Sequence, residues 1–288
     1  MTETLSRWAA FTTDPAGGNP AGVWIGDALP DTHTMQRIAR DVGYSETVFV
    51  APSHGLERTV RYYSPEMEIP FCGHATIAAG VQLGVRDGAG SYTLHTQVGA
   101  VPVTVQAVVG QMQASLTSVT PQWERPSSKL VQAVLQLLGW NADELEPDLP
   151  PARAYAGAWH LVLVVRNRAT LDRLHYDFEA MRRLMHEHSL TTLQLVWPES
   201  ATVFHSRNPF PVGGVVEDPA TGAAAAALAG YLRDAGLILA PTALTIHQGV
   251  SMGRPSLLRV IVPVVGGVVV QGTAVPLPSV DALAVQSR

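Results

Sequence analysis

Three titratable side chains stand in short motifs whose composition favours acid–base chemistry. Glu46 lies in YSETVF at the end of a predicted helix–strand connection, His74 lies in the turn CGHAT, and Asp218 opens the turn DPATG. A carboxylate that apolar neighbours shield from water has a raised pKa, which suits a base that accepts a proton near neutral pH and later releases it. Each residue also has a structural interpretation: a solvated strand edge for Glu46, a backbone-satisfied histidine for His74 and a helix N-cap for Asp218.

The two glycine-containing turns each precede a segment of small residues that predicts a helix. The first backbone N–H groups of a helix have no intrahelical partner, so they attract anions. If the two turns face each other, the main chain at Gly73, His74, Gly222 and Ala223 can hold a carboxylate from both sides. Either turn alone is better explained as an ordinary helix start, and only the pair favours an anion site.

The remaining pattern predicts the elements that must position these turns. The segment 32–42 has helical spacing and is followed by Gly43, which suits a left-handed C-cap. Glu46 to Val50 is expected to form a strand, and residues 127–128 to cap an amphipathic helix that ends at Gly139. Further predicted helices cover about 74–84, 170–186 and the alanine-rich stretch after Gly222, and further predicted strands include 160–165, 192–197 and 201–206.

A proline-containing segment at 119–128 predicts a boundary between two lobes, residues 1–119 and residues 120–288, and the last strand could return to the N-terminal lobe. The halves also resemble each other. GHATIAAGVQL aligns on DPATGAAAAAL with Thr76 on Thr221, and FVAP aligns on LVWP at nearly the same shift. This predicts an internal duplication, although alanine-rich helices match one another easily.

Composition narrows the class of protein. The chain has 288 residues, 47% of them hydrophobic and 15% charged, with a formal net charge of -5. No basic run appears, so nucleic acid is not an expected partner. No signal-like N-terminus and no apolar stretch of about 18 residues appears either, so we expect a cytoplasmic protein that does not bind membranes.

Cys72 is the only cysteine, so an internal disulfide and a cysteine-rich metal site are both excluded. A pair of cysteine bases is excluded for the same reason, and Cys72 is expected to be a small buried residue. The segment His186-Glu187-His188 lacks the i, i+4 spacing of a zinc helix, and no nucleotide-binding glycine motif appears. The sequence therefore predicts neither a metal nor an organic cofactor.

The motifs, taken in order, resemble those of the phenazine-biosynthesis PhzF-like family. They are FTTDPAGGNPAGV, GYSETVFV, FCGHATIAAG, SRNPFPVGGVVEDPATGAAAA and HQGVSMGRPS, and they span residues 11–256. The resemblance implies an α+β diaminopimelate-epimerase-like fold. Two duplicated lobes, each a mixed β-sheet wrapped around a central helix, would then hold the active site between them.

The resemblance also implies a role for each motif residue. Glu46 corresponds to the general acid/base, and His74 and Asp218 correspond to its catalytic helpers. The family commonly has serine where this chain has Ala223, which leaves the main-chain N–H in place but removes a hydroxyl. The implied substrate-binding residues are Gly73, Gly222, Ala223, Asn19 and Ser45.

We therefore predict a cofactor-independent isomerase, with a homodimer as the expected assembly, that shifts a proton on a small carboxylic acid. A single base, Glu46, would take the proton from one carbon and return it to another, because no second cysteine exists for a two-thiol inversion. Two alternatives remain open: an epimerase or racemase in which Asp218 or His74 is the opposite base, and a non-catalytic small-molecule-binding protein, which Ala223 favours.

Overall fold

The structure, a computed structural model, describes residues 3–278. They form two compact units: unit 1 contains the described parts of 1–15, 20–114 and 273–288, and unit 2 contains 16–19 and 115–272. In chain order the main change of unit falls between Ala114 and Ser115, a few residues before the boundary proposed from the sequence. Residues 279–288 of the predicted second lobe lie outside the described residues. No helix within 3–278 is long and apolar enough to cross a membrane.

Unit 1 is built from short strands around one buried helix. Its helices are α1 (Thr32–Val42) and α2 (Gly73–Asp87). Its strands are β1 (Thr4–Ala10), β2 (Asn19–Ile25), β3 (Thr47–Pro52), β4 (Glu57–Tyr63), β5 (Glu68–Ile69), β6 (Gly90–Thr96), β7 (Gly99–Val108) and β8 (Gln111–Thr117). Strand β3 pairs parallel with β2 and antiparallel with β4, which pairs antiparallel with β5 and parallel with β6; β6 then pairs antiparallel with β7.

Helix α2 is buried on all sides, because its small residues let the strands approach closely. Every residue from His74 to Gly84 is buried. A Cβ added to Gly80 would lie 2.9 Å from the Ala114 side chain, and one added to Gly84 would lie 2.4 Å from Val105. Both contacts are too short, so glycine is required where this helix packs on its strands. The glycine spacing of i, i+4 places both on one helix face.

Unit 2 also surrounds a helix rich in small residues. Its helices are α3 (Ser128–Leu138), α4 (Arg168–Asp172), α5 (Phe178–Glu187) and α6 (Gly222–Asp234). Its strands are β9 (Gln122–Glu124), β10 (Ala152–Tyr155), β11 (Trp159–Val164), β12 (Thr192–Pro198), β13 (Val203–Phe210), β14 (Val215–Asp218), β15 (Thr242–Gln248) and β16 (Ser256–Val262). The last strand, β17 (Val269–Pro276), begins in unit 2 and belongs to unit 1 from Thr273 on, as the sequence analysis allowed. Residues 224–232 of α6 are all buried.

The strand pairing of unit 2 places β13 at the centre of its sheet. Strand β12 pairs parallel with β11 and antiparallel with β13. Strand β13 pairs antiparallel with β14 and parallel with β15, and β15 pairs antiparallel with β16. Helices α3 and α5 pack in a separate apolar cluster that includes Leu135, Met181 and Leu195. That cluster holds the elements outside the α6 core to the sheet.

Several predicted elements are confirmed by the structure, and their caps follow the expected chemistry. Helix α1 covers 32–42, and Gly43 caps it at φ 72°. Ser127 caps α3 by accepting a hydrogen bond from the Leu130 N–H, and Gly139 ends that helix at φ 64°.

Two details of the sequence prediction are wrong. The single helix expected over 170–186 is two helices, because Asp177 caps a new one by accepting a hydrogen bond from Ala180 N–H. The alignment of Thr76 on Thr221 also fails, because Thr221 is the N-cap of α6 whereas Thr76 lies inside α2, whose N-cap is Cys72. When the two helices are aligned by their first residues, Cys72 matches Thr221 instead. The sequence alignment missed this because a run of small residues matches another such run equally well at several shifts.

Candidate active site

The backbone of unit 1 brings Glu46 to the start of α2. Glu46 immediately precedes β3, and its carbonyl accepts a hydrogen bond of 3.1 Å from Gly22 N–H of β2. A Cβ at Gly22 would lie 2.6 Å from Thr47 Oγ1, so only glycine allows β2 to approach this closely. The position of the Glu46 main chain is therefore set by two buried strands rather than by a loop.

Glu46, His74 and Cys72 form a contiguous cluster at this helix start. His74 Nε2 lies 3.2 Å from Glu46 Oε2, and His74 Nδ1 lies 3.3 Å from Cys72 Sγ. The side chains of His74 and Glu46 are only 8% and 15% exposed. The imidazole therefore contacts the carboxylate through Nε2 and the thiol through Nδ1. Thiol, imidazole and carboxylate thus form one cluster that contains the candidate base.

Two buried hydroxyl groups hold the N-cap residue of α2, Cys72, in place. Thr76 Oγ1 donates to the Cys72 carbonyl at 2.7 Å, and Tyr62 Oη donates to Thr76 Oγ1 at 2.7 Å. Burial raises the pKa of Tyr62, so its hydroxyl stays protonated and remains a donor across the physiological pH range. These two bonds fix the peptide that carries the cluster.

In unit 2, Asp218 closes strand β14 just before α6. Its Oδ1 accepts a hydrogen bond of 2.8 Å from Asn19 Nδ2, and its Oδ2 accepts one of 2.5 Å from Thr221 Oγ1. Asn19 is 2% exposed and also donates to the Ala220 carbonyl at 3.1 Å. Asp218 therefore does not cap α6 directly, as one interpretation of the sequence held; Thr221 is the N-cap and Asp218 positions it.

Gln248 is a site residue that the sequence analysis did not single out. Its Nε2 donates to the Asp218 carbonyl at 2.7 Å and to Thr221 Oγ1 at 3.0 Å, and its Oε1 accepts from Thr221 N–H at 3.2 Å. The side chain is 1% exposed. Gln248 lies in the motif HQG. It occupies a position of β15 that the alternating pattern assigns to the buried face, and a polar residue on that face is the signal that could have identified it.

Close main-chain packing also fixes the turn after β15, next to the start of α6. Gly249 has φ 74°, and a Cβ there would lie 2.3 Å from the Arg254 carbonyl. Arg254 Nε donates at 2.8 Å to the Gly18 carbonyl, and Arg254 Nη2 donates to the Gly17 carbonyl. The segment that carries Asn19 is thereby tied to the turn after β15.

The remaining predicted binding residues lie at or near the two helix starts. Gly73 and Gly222 are the first residues of α2 and α6, and Ala223 follows with its side chain partly exposed. No heavy atom lies within 4 Å of a Cβ built on Gly73, so the space beside this start is open. Ser45 is exposed next to Glu46. Cys72 is buried as expected, but it contacts His74 rather than serving only as packing.

The comparison with protein families decides which group of proteins this arrangement represents. Residues 8–279 match the family model described as phenazine biosynthesis-like protein. The chain belongs to this PhzC-PhzF family. The family resemblance inferred from the motifs is therefore confirmed.

Curated relatives in the family carry isomerase names. An uncharacterized isomerase of Deinococcus radiodurans is 34% identical over 284 residues, which covers 92% of this chain and 89% of the relative. The trans-2,3-dihydro-3-hydroxyanthranilate isomerase of Pseudomonas fluorescens is 31% identical over 86% of each chain. The prediction of an isomerase is confirmed at this level of enzyme class.

Solved structures show the same fold. A PhzF-family phenazine biosynthesis protein of Bacillus anthracis has a TM-score of 0.83 and 26% identity, and it covers 96% of this chain and 98% of its own. A probable proline racemase from Agrobacterium radiobacter shares the fold with a TM-score of 0.62 at 12% identity, covering 98% and 94% of the two chains. The chain therefore has the fold that these two structures share.

Proposed function

We propose that the chain is a cofactor-independent isomerase that shifts a proton on a small carboxylic acid, with Glu46 as the proton carrier. The observation that carries the proposal is the shielded pair of Glu46 Oε2 and His74 Nε2, 3.2 Å apart, at the start of α2. A positioned acid–base group of this kind contributes about 10² to 10⁴ in rate. The isomerase name of the P. fluorescens relative supports an unsaturated cyclic acid as the substrate class.

The chemistry balances without an outside electron acceptor. Glu46 removes a proton from one carbon of the substrate, and the C–H electron pair moves into the adjacent double bond. The same carboxylic acid then returns that proton to the far end of the rearranged π system. Substrate and product are at one oxidation level, so no redox cofactor is required for this step.

The other side chains bind and orient the substrate. The first N–H groups of α2 are suited to an anionic carboxylate, and the open space beside Gly73 leaves room for it. His74 holds the Glu46 carboxylate and can polarise the substrate. Asp218, with Asn19 and Thr221, is proposed to assist the same reaction from a fixed position.

A one-base shift fits better than inversion between two thiols. The helix-start residue of α6 that corresponds to Cys72 is Thr221, whose hydroxyl donates to Asp218. An alcohol with a pKa far above that of a thiol is a poor carbon base at neutral pH. The family's epimerase-like reactions would therefore need a carboxylate or histidine as the second base here.

Strand pairing supports the inference that the two units are duplicated lobes, each a mixed sheet around a central helix. In unit 1, β3 pairs parallel with β2 and antiparallel with β4. Strand β4 pairs antiparallel with β5 and parallel with β6, and β6 pairs antiparallel with β7. The same order occurs in unit 2 through β11 to β16, and α2 and α6 occupy the same place in it. The repeat therefore rests on topology rather than on matched alanines.

The experiment is a turnover screen of unsaturated cyclic carboxylic acids, with trans-2,3-dihydro-3-hydroxyanthranilate first, run beside thermal shift. We expect an acid that both stabilises the protein and is consumed, with consumption abolished in Glu46→Gln. Glu57→Gln is the matched control, because Glu57 Oε2 contacts His95 Nε2 at 2.9 Å on the exposed surface of the same unit. A ligand that stabilises the protein and is never consumed would show a binding protein instead.

Turnover in D₂O separates the remaining chemical alternatives. A single carrier that returns the substrate's own proton leaves part of the product unlabelled, whereas two-base inversion labels the product from solvent. Complete solvent labelling together with inverted configuration would support the epimerase alternative. The homodimer is a further proposal, which light scattering of the purified chain tests directly.

A further inference from the structure

The cluster at the start of α2 has a donor set that the proton shift does not require. A thiol, an imidazole nitrogen and a carboxylate oxygen from Cys72, His74 and Glu46 lie within 4.8 Å of one another. The single acid–base pair needs only the last two. Sulfur, nitrogen and oxygen donors from these three side chains are the ligands that Zn²⁺ uses in proteins.

The distances between the donor atoms are close to those of a tetrahedral centre. Zn–ligand bonds place a sulfur and a nitrogen ligand about 3.6 Å apart and a nitrogen and an oxygen ligand about 3.4 Å apart. Here Cys72 Sγ lies 3.9 Å from His74 Nε2, which lies 3.2 Å from Glu46 Oε2. The third edge, between Cys72 Sγ and the Glu46 carboxylate oxygen, is no longer than 4.8 Å, and side-chain rotation that shortens it would complete the geometry.

The three side chains also satisfy the electrostatic and steric requirements. A thiolate and a carboxylate offset the charge of a divalent cation, and the cation itself deprotonates the thiol. Coordination through Nε2 leaves the imidazole proton on Nδ1, 3.3 Å from the sulfur. Three protein ligands leave the fourth coordination position open to water or substrate, unlike a structural zinc site with four protein ligands.

We propose that Glu46, Cys72 and His74 form a binding site for a thiophilic divalent cation, with Zn²⁺ as the probe, and that the occupied site does not turn over substrate. The sequence predicted no metal because Cys72, His74 and Glu46 have no metal-ligand spacing along the chain. The loss of turnover rests on the proposed function, since coordination removes the lone pairs with which Glu46 and His74 would move a proton. Metal binding itself does not rest on it.

The single cysteine makes the binding test unambiguous. Co²⁺ substitutes for Zn²⁺, and a thiolate-to-cobalt charge-transfer band in this protein can come only from Cys72. We expect one equivalent of Co²⁺ to give this band, Zn²⁺ to displace it, and proton release to accompany binding. Zn²⁺ should also protect the thiol from a disulfide reagent.

Matched variants identify the ligands. Cys72→Ser, Cys72→Ala and His74→Ala should each weaken Zn²⁺ binding by about 100-fold or more, because loss of even an outer partner costs 10–100-fold. His95→Ala is the control, since His95 contacts Glu57 at 2.9 Å in a surface pair without a thiol. Thermal melts of the metal-free proteins test whether each variant is folded. If Cys72→Ala does not fold, Cys72→Ser provides the same test of the thiol.

Each outcome bears on a different part of the proposal. Absence of the cobalt band, or equal Zn²⁺ affinity in Cys72→Ser and wild type, would overturn the metal site and leave the proposed isomerase intact. An intact band with full turnover at saturating Zn²⁺ would overturn the inhibitory part. The proposed function fails separately, through normal turnover of metal-free Glu46→Gln.

Discussion

The starts of helices α2 and α6 occupy the same place in the pairing order of their units but differ in what surrounds them. At α2, the titratable side chains of Glu46, His74 and Cys72 form one cluster, in which His74 contacts both of the others. At α6, the carboxylate of Asp218 accepts bonds from Asn19 and Thr221, and Gln248 ties the same peptides together. The first arrangement places the proposed proton carrier beside an imidazole, whereas the second is held by several hydrogen bonds to one carboxylate. The same pairing order thus carries two helix starts with different polar surroundings.

The largest expected effect separates the two starts by rate. Glu46→Gln keeps the shape of the side chain but removes the base, so turnover should fall by about 10² to 10⁴. Ligand affinity should change far less, because the main-chain N–H groups of α2 remain. Steady-state kinetics and calorimetric binding on an identified substrate measure both. Near-normal turnover in this variant would transfer the role of proton carrier to His74 or Asp218.

Asp218→Asn tests the start of α6 and should affect stability as well as rate. The new amide must place an N–H₂ group toward Asn19 Nδ2 or toward the Thr221 hydroxyl, so one donor loses its acceptor. Hydrogen bonds to a charged group are worth about 1.5–3 kcal/mol, and we expect a loss of that size in the free energy of unfolding. Urea denaturation measures it. His74→Ala is the counterpart at α2, and we expect it to lower rate and affinity with a smaller loss of stability.

A double-mutant cycle between the two starts sharpens the comparison. If Glu46 and Asp218 serve one reaction, the rate loss in Glu46→Gln combined with Asp218→Asn should be well below the product of the single losses. Single-turnover rates of the four proteins give the coupling. Fully multiplicative losses would show that the two helix starts act independently.

Gln248→Ala should destabilise the protein without removing a titratable group. Its buried amide serves three atoms of Asp218 and Thr221, and leaving them unpaired costs about 1–3 kcal/mol. Gln36→Ala is the control, because Gln36 makes a single bond of 2.9 Å to the Ser64 carbonyl at a partly buried position. Equal melting temperatures for the two variants would contradict a bracing role for Gln248.

Cys72→Ser should have the smallest effect on metal-free turnover. No second thiol exists for inversion, and serine retains a hydroxyl that can donate to His74 Nδ1. We expect a loss within about tenfold, or roughly 1.4 kcal/mol in barrier height. A thousandfold loss in a folded protein, seen in the same steady-state assay, would show that the thiol takes part in the reaction.

Local signals in the sequence predicted local structure well. Glycines after α1 and α3 predicted left-handed caps, and the structure has both. The motif residues Glu46 and His74, 28 positions apart in the chain, are in contact. Here the prediction came from family resemblance, because nothing in the spacing of these residues reveals which strand end lies beside which helix.

What sequence reasoning missed depends on tertiary contacts. The contact between Cys72 and His74 depends on the turn geometry of an N-cap, and the role of Gln248 depends on β15 ending beside Thr221. The alignment of Thr76 on Thr221 was wrong because small residues are interchangeable in a buried helix, so several helix alignments fit equally well. Strand pairing, which fixes the register, is a non-local property.

The four-residue stretch Ala16–Asn19, which belongs to unit 2 although the residues on both sides belong to unit 1, has a consequence for how the protein is made. Asn19 and Asp218 are 199 positions apart, so on the ribosome the donor is synthesised long before its acceptor. Contacts between residues so far apart in sequence are associated with slow folding, so we expect the turn before α6 to be completed late. A separately expressed fragment of 115–272 would lack Asn19 and leave an Asp218 oxygen without this donor. Adding a peptide that carries residues 11–22 to such a fragment, and following its binding, would test whether this contact forms after the rest of the unit.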